Sequence, residues 1–461
     1  MRKILMGTTA VVGAALLAPA AFAQAPVTTT PGQGGLRGDA TGTSAVVAPA
    51  PAISAPGGLS IRIGGYFDFR SAYIQDDWDR ARSRNSAAAN GGGPNAVARN
   101  RYDFQNDSEL FVFVDGRASN GLTYGAEFQF QMDGVGGTGN TVVDLDEAFM
   151  FVGTPTLGRL TFGQEDNAAS LMQVRAPGVG ELADGNWSDF IIHNGLYGNP
   201  YLLAGINDGN DSTKIIYTSP QFAGFDFGLS YAPQSRSEGR RIENTGTLGG
   251  AAATFQRDRV TAENEIAVAL RYRGTFGPVG VNAGFGAMFA DSARQNAAGQ
   301  SLAPNARAQA INAYTVGLSV AAYGFAVGGE YTWGSYNNAP GGAALNPGLD
   351  DSNAFVLGVT YTVGPLILGA NYGVAKQDNG TSPAGVALSD RTHTYYGFGV
   401  VYNLAPGLAL YASYQNINDE NLPTAAPSNA TYGGTGTTLA SFNGTSTRTI
   451  NFGLAGIRLA F

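Results

Sequence analysis

From Leu59 onward the chain alternates, residue by residue, between apolar and polar side chains. Ile61 and Phe67 fall on one face of an extended strand and Arg62 on the other, and residues 122–132 repeat the pattern with polar Glu and Gln positions. Runs of about ten residues or more are long enough for tilted strands that cross a membrane, whereas strands of soluble sheets usually have ~5–6 residues. The pattern therefore predicts strands that face lipid on one side and water on the other.

Short turn-forming sequences alternate with long polar connections along this pattern. The short connections lie at residues 118–120, 153–156, 220–223, 275–278, 322–324, 363–365 and 404–407. Short periplasmic turns and long external loops are typical of outer-membrane barrels. We therefore predict an all-β fold, a transmembrane antiparallel β-barrel of about 16 strands with both termini on the periplasmic side. The predicted strands are 59–75, 103–117, 121–132, 144–153, 157–164, 211–219, 224–232, 264–274, 279–290, 310–321, 325–335, 352–362, 366–375, 392–403, 408–417 and 447–461.

The last predicted strand ends on an aromatic residue, Phe461. Near the terminus, apolar Ile457 and Leu459 alternate with Gly456 and Arg458, as a wall between lipid and water requires. A terminal aromatic after such a strand resembles the signal by which outer-membrane barrels are handed to the barrel-assembly machinery. The resemblance implies that machinery as a partner.

The N-terminus predicts export. Residues 1–23 combine a basic start, an apolar stretch and a small-residue cleavage pattern that ends at Ala23, as in a secretory signal peptide read by the Sec pathway. An uncleaved anchor is the alternative, although the apolar stretch is shorter than the ~20 residues a spanning helix needs. Residues 24–58 are rich in Pro, Ala and Gly and predict a disordered periplasmic extension, or a contact with peptidoglycan or a partner. The barrel domain then comprises residues 59–461.

Composition supports an exported barrel. The chain has 66 Gly, 21 Tyr and 25 Phe, yet only 13% charged residues, against about 25% in soluble domains. It has no cysteine, which excludes disulfides and thiolate metal sites. The precursor's net charge is −8; without Arg2 and Lys3 the count is 25 basic and 35 acidic residues, a net charge of −10. Nucleic acid is therefore not an expected partner.

Three segments resemble the general, non-specific porins of Gram-negative bacteria, especially the α-proteobacterial type. Residues 146–164 end in Gly-x-Leu-x-x-Gly-Gln, residues 212–232 contain Tyr-x-Ser-Pro-x-Phe-x-Gly-Phe, and residues 447–461 form the terminal strand. The resemblance covers residues 59–461. It implies a water-filled channel for passive diffusion of ions and small hydrophilic solutes. It also implies a homotrimer among outer-membrane lipid and lipopolysaccharide, and a third external loop folded into the barrel.

The same resemblance places the pore constriction in residues 165–210. Basic residues are expected on the barrel wall opposite this loop, and opposite charges on facing walls create a transverse field that orients polar solutes. For each arginine the alternative is a structural pair with a wall carboxylate or a loop carbonyl. The acidic loop and the net charge favour cations, whereas the arginines would reverse this preference. The acidic candidates are Glu165, Asp166, Glu181, Asp184 and Asp189, and the basic ones, chosen by strand parity, are Arg62, Arg70, Arg271, Arg273 and Arg458.

The predicted strands 103–117 and 144–153 are apolar on both faces. Phe111, Phe113, Phe149 and Phe151 would then face water in the pore, which is unfavourable. A loop folded over them would remove this contradiction. We predict that these four phenylalanines form the inner wall behind the constriction loop.

Two local motifs carry less weight. Residues 134–139 match G-x-G-x-x-G, but no helix follows, so the context of a dinucleotide site is missing and an external loop is the better interpretation. Residues 207–211, or Asp144 with Asp146, offer oxygen ligands for calcium without the spacing of an EF-hand. No cofactor is expected, with calcium as the alternative.

An enzyme is not expected. The chain has two histidines, His193 and His393, and neither lies beside a recognisable nucleophile motif. The sequence thus predicts an outer-membrane diffusion channel. A solute-specific channel and a plugged structural or adhesive barrel are the alternatives.

Overall fold

The protein's structure is a computed structural model. It describes residues 53–55, 58–76, 100–132, 143–179, 205–206, 209, 211–235, 242–248, 251–256, 259–295, 301–304, 307–336, 351–379, 386–421 and 447–461.

Sixteen antiparallel strands form a closed barrel, because each pairs with its neighbour along the chain and the last, β19, pairs with the first, β2. One pairing, between β8 and β11, spans a longer insertion. The barrel strands are β2 (Leu59–Asp76), β3 (Tyr102–Arg117), β4 (Thr123–Gln131), β5 (Asp144–Thr154), β6 (Gly158–Gln164), β7 (Thr213–Thr218), β8 (Phe225–Gln234), β11 (Glu263–Phe276), β12 (Val279–Asp291), β13 (Ile311–Ala322), β14 (Phe325–Ser335), β15 (Ser352–Val363), β16 (Leu366–Gln377), β17 (Arg391–Ala405), β18 (Leu408–Glu420) and β19 (Arg448–Ala460).

Four smaller elements accompany the barrel. Strand β1 (Ile53–Ala55) pairs with the start of β2, β9 (Ile242–Leu248) pairs with β10 (Ala251–Gln256), and a single-turn helix α1 (Ala168–Leu171) follows β6. Among the described residues, no helix is long and apolar enough to cross a membrane.

The predicted strands are confirmed, with each end within three residues of its predicted position. The N-terminal boundary differs, because β1 pairs with the barrel before residue 59. Apart from residues 53–55 and Gly58, the predicted extension 24–58 lies outside the described residues, as does the signal peptide, and both stay predictions.

Short turns join the strands at one end of the barrel, as predicted. Between β13 and β14 the two turn residues, Tyr323 and Gly324, have φ of 54° and 83°. Positive φ at both central residues is the backbone of a tight hairpin whose twist matches that of its strands. The strand ends from which the longer connections start lie at the opposite end of the barrel.

Side chains alternate between the two sides of the wall. In β15, Leu357 points outward and is 55% exposed, whereas its neighbour Val356 points inward and is 1% exposed. Aromatic pairs lie near both rims, with ring centroids 4.4 Å apart for Phe325 and Tyr361 and 4.9 Å for Tyr73 and Tyr102. An apolar outer band with aromatic girdles is what a lipid bilayer requires.

Candidate functional site

The segment that follows β6, residues 165–179, lies inside the barrel; we call it the pore segment. The Gln173 amide nitrogen donates to Thr315 Oγ1 on β13 at 3.2 Å and to Glu330 Oε2 on β14 at 2.7 Å. Thr315 and Glu330 are buried side chains of the inner wall. The described part of the predicted constriction loop is therefore folded into the lumen.

Helix α1 fixes the start of the pore segment. Asn167 Oδ1 accepts hydrogen bonds from the backbone N–H groups of Ala169 and Ser170, each at 3.0 Å, and so caps the helix. The Ala168 N–H donates to Ser230 Oγ on β8 at 3.0 Å. These bonds pair the polar backbone of a buried turn and hold it against the wall.

Glu330 holds the middle of the pore segment. Its Oε1 accepts from the Ala176 N–H at 3.2 Å, while its Oε2 accepts from Gln173. Gln173 in turn accepts from the Ile206 N–H at 3.0 Å, so the outgoing and returning arms of the loop are tied together. A charged acceptor makes such bonds stronger than neutral ones.

Apolar contacts complete the attachment. Ala169 and Ile206 pack with Met288, Ile311 and Tyr336 from the wall. Burial raises the pKa of the Tyr336 phenol above its ordinary value.

Further along the pore segment, Ala176 and Val179 join a second cluster on the inner faces of β15–β19 and β2. This cluster includes Ile450, Phe452 and Leu454, which β19 turns toward the lumen. This arc of the inner wall therefore carries a buried apolar patch.

Two of the predicted acidic residues, Glu165 and Asp166, lie at the base of the pore segment and are buried. Glu165 Oε1 accepts from the Asp166 N–H at 3.0 Å, and the Glu165 carbonyl oxygen accepts from Lys214 Nζ. Asp166 Oδ2 accepts from Ser170 Oγ at 3.1 Å. The other three, Glu181, Asp184 and Asp189, lie outside the described residues.

Asp166 belongs to a cluster of three carboxylates. One oxygen each from Glu147 on β5, Asp166 and Asp211 lie within 4.8 Å of one another. The Gln129 amide nitrogen donates to Glu147 Oε2 at 2.7 Å. This set shares only Asp211 with the predicted calcium ligands, of which residues 207, 208 and 210 lie outside the described part of the chain. Calcium binding by residues 207–211, or by Asp144 with Asp146, stays a prediction, testable by isothermal titration of the purified protein.

The predicted wall arginines Arg62, Arg70, Arg271 and Arg273 pair with wall carboxylates. Arg271 and Arg273 share Asp226 through distances of 2.7 and 2.8 Å to its Oδ2. Arg62 Nη2 lies 3.0 Å from Asp115 Oδ2, and Arg70 Nη2 lies 2.7 Å from Asp107 Oδ2. Their charges are largely compensated within the wall.

The fifth arginine, Arg458, stacks on an aromatic ring. Its guanidinium carbon lies 3.9 Å from the ring centroid of Tyr66. Tyr66 Oη donates to Asp107 at 3.4 Å, which connects this pair to Arg70. Strand parity thus identified arginines that the structure brings together on β2 and β19.

Three further inward arginines were not among the candidates. Arg391 donates to Asp419 at 2.9 Å and Arg448 to Asp76 at 3.0 Å, both through Nε. Arg159 lies over the Phe151 ring, 4.0 Å from its centroid. Arg448 shares a face with Arg458, and Arg159 lies in the predicted strand 157–164, so strand parity was available for both. Arg391 lies directly before the predicted strand 392–403.

The four predicted wall phenylalanines, Phe111, Phe113, Phe149 and Phe151, are all buried, between 1% and 4% exposed. Phe111 and Phe113 pack with Tyr66, and Arg62 lies over the Phe113 ring at 4.8 Å. Within the pore segment, Ala168 to Val179 lie against glycines of β8 and β12–β16. Residues 180–204 lie outside the described residues, so whether the loop covers these rings stays a prediction.

His393 is fully buried, with its ring centroid 6.2 Å from that of Tyr395. His193, like residues 134–139, lies outside the described residues.

Comparison with known proteins gives a consistent result. A family model described as Gram-negative porin matches residues 7–422. The outer membrane channel DcaP of Acinetobacter baumannii superposes with a TM-score of 0.52 at 12% identity, over 89% of this chain and 99% of that one. An anion-selective porin from Comamonas acidovorans superposes with a TM-score of 0.51 at 17% identity, over 87% and 100%. At such identities these two structures show the fold alone. No curated protein matches the chain.

Proposed function

Since the chain belongs to the Gram-negative porin family and forms an outer-membrane barrel channel, we propose that it carries ions and small hydrophilic solutes by passive diffusion, sieved by the pore segment. The observation that supports this is the attachment of the pore segment to the inner wall through Gln173 and Glu330. A segment held across part of the lumen narrows it and leaves an aqueous path beside it.

Liposome swelling with neutral sugars of increasing size tests the sieve. The wild-type protein should admit small sugars, with rates that fall steeply as size increases. The double variant Gln173→Ala/Glu330→Ala should change the size limit, because the segment loses its main polar attachment. Glu420→Ala, the loss of an exposed carboxylate at the rim, is the matched control. An unchanged size limit in the double variant would exclude the pore segment as the sieve.

The proposed ion preference rests on the acidic side chains around the pore segment and on the net charge of −8. Arg62, Arg70, Arg271 and Arg273 are paired with carboxylates. Oxygen atoms of Glu147, Asp166 and Asp211 lie within 4.8 Å of one another. We therefore propose a preference for cations, since a channel lined by carboxylates favours cations. The reversal potential under a salt gradient measures it.

A second candidate is a plugged structural barrel. It is favoured by the buried apolar patch of Ile450, Phe452 and Leu454 on the inner face of β19, because side chains that line open water would be exposed. Negligible conductance of folded protein would select this candidate. A solute-specific channel would show instead saturable current in the presence of its solute.

The proposed assembly is a homotrimer that contacts lipid and lipopolysaccharide. On the outer face of β2 and β3, Phe69 and Phe104 are 42% and 67% exposed and their rings lie 5.6 Å apart. Such an apolar surface suits either lipid or a neighbouring subunit. Light scattering in detergent should give three copies, and Phe104→Arg should reduce that number.

We further propose Sec export, insertion by the barrel-assembly machinery and no catalytic activity. The family and the fold are those of a channel, and the buried His393 imidazole is not placed to meet a substrate. Deletion of Phe461 should lower the amount of folded barrel in the outer membrane.

A further inference from the structure

The inner wall beneath the pore segment carries a glycine on one strand after another. Gly284 on β12 pairs directly with Gly317 on β13, and Gly328 on β14 pairs with Gly358 on β15. We call these positions the glycine track; its members are Gly228, Gly284, Gly317, Gly328, Gly358 and Gly369.

Backbone atoms of the pore segment occupy the space that a side chain on the track would need. A Cβ on Gly317 would overlap the carbonyl oxygen of Val174, and a Cβ on Gly358 would overlap the carbonyl oxygen of Pro177. Main-chain atoms cannot rotate away, so the whole segment would have to move.

Side chains of the segment fill the space at other positions of the track. A Cβ on Gly284 would lie 2.9 Å from Val174 Cγ2, and one on Gly369 would lie 2.5 Å from Val179 Cγ2. Both distances are shorter than packed carbon atoms allow. The segment therefore lies directly on the backbone of the wall.

The track stays at one level of the barrel. Gly317 on β13 pairs with Glu330 on β14. The track's member on β14 is Gly328, which lies two residues nearer the short turns than Glu330. Because barrel strands are tilted and their register is staggered, a path at constant height must shift along each successive strand. Glu330, two residues from Gly328 on the same face of β14, accepts the hydrogen bonds from Gln173 and Ala176 that hold the pore segment.

We propose that the glycine track determines how far the pore segment stands from the wall, and thereby the width of the channel. This rests on the proposed function, in which the segment is the constriction. Each methyl group added to the track displaces a packed segment toward the lumen, because close-packed interiors transmit strain rather than absorb it.

The first test compares single-channel conductance in two alanine variants. Gly317→Ala places its methyl group against the Val174 backbone and should lower conductance. Gly280→Ala is the matched control, since Gly280 lies on β12 on the same inner face as Gly284 and its Cβ would be 3.7 Å from its nearest neighbour. Wild-type conductance in folded Gly317→Ala would overturn the proposal.

A rescue experiment distinguishes this steric mechanism from general damage. Val174→Ala removes the side chain that meets Gly284 but leaves the carbonyl oxygen that meets Gly317. Val174→Ala should therefore restore the conductance of Gly284→Ala and not that of Gly317→Ala. If Gly317→Ala does not fold, the test is the comparison of Gly284→Ala with the double variant Gly284→Ala/Val174→Ala. Equal conductance of these two variants would overturn the proposal.

Thiol labelling distinguishes a failure of the glycine-track proposal from a failure of the proposed channel function. The chain has no cysteine, and Ala176 in the pore segment is buried, so Ala176→Cys reports on the position of the segment. Labelling should be slow in this background and fast when Gly317→Ala is added. Suppose that Gly317→Ala speeds labelling but the parent protein does not conduct: the glycine-track proposal is then supported and the proposed channel function is refuted. If the parent protein conducts but Gly317→Ala leaves labelling unchanged, the channel function is supported and the glycine-track proposal is refuted.

Discussion

Asp226 is the residue on which the charge balance of one wall depends, because it pairs with both Arg271 and Arg273. Asp226→Asn should leave two guanidinium charges without their carboxylate, and the reversal potential should shift toward anions. Loss of charge-assisted hydrogen bonds should also cost about 1.5–3 kcal/mol in the free energy of unfolding. Asp226→Glu is the control and should keep the wild-type sign. An unchanged reversal potential in Asp226→Asn would mean that ions do not pass this wall.

Glu330 offers a second prediction for a single side chain. Glu330→Ala removes both acceptors of the pore segment and should cost about 1–3 kcal/mol in the free energy of unfolding, with noisier single-channel current. Glu330→Gln keeps one acceptor oxygen and should lie between the alanine variant and the wild type. Equal noise in all three proteins would show that the segment is held by other contacts.

For the arginines of the inner wall, the sequence predicts the face of the strand but not the partner of each side chain. Strand parity predicts that Arg62, Arg70, Arg271, Arg273 and Arg458 share the inner face, because a period of two assigns every residue of a strand to one of its two faces. Their partners depend on register between strands, as in the pairing of Arg271 with Asp226 across β11 and β8. Register is not encoded in one strand, so the sequence offers an ion pair as an alternative for each arginine but does not identify its partner. The role of Glu330 was not predictable for the same reason.

Among the elements, the closing pair of strands, β2 and β19, depends on one buried ion pair near the external end. Arg448 and Asp76 are 1% and 2% exposed in their side chains. Replacing either one by alanine should cost about 3–5 kcal/mol in the free energy of unfolding, because the other charge stays buried. The double variant should lose less than the sum of the two single variants. Additive losses in urea unfolding of the detergent-solubilised protein would contradict a direct coupling.

The barrel strands were predictable and the smaller elements were not. The strands β11–β18 were predictable because long alternating runs end at short turns, which mark where each strand begins and ends. The β9–β10 hairpin joins shorter runs around Gly249-Gly250, and α1 is a single turn whose formation depends on Asn167 and the wall. Local patterns of that length do not specify an element without its tertiary contacts.

For the whole molecule, the apolar outer band predicts that the cost of placing an arginine on the outer face depends on its depth in the membrane. Leu357 lies at the middle of β15 and Leu404 near the short-turn end of β17, and both are exposed on the outer face. Leu357→Arg should cost about 2–4 kcal/mol in the free energy of folding into lipid vesicles, and Leu404→Arg about 0–1 kcal/mol. Equal costs at both positions would contradict the assigned membrane band.

The central claim is that the lumen conducts. Single-channel current of the purified protein in a planar bilayer, under a salt gradient, tests it most directly. We predict stepwise conductance, with a reversal potential that favours cations. Conductance near zero from protein that is folded and heat-modifiable would contradict the account and assign the barrel a plugged, structural role.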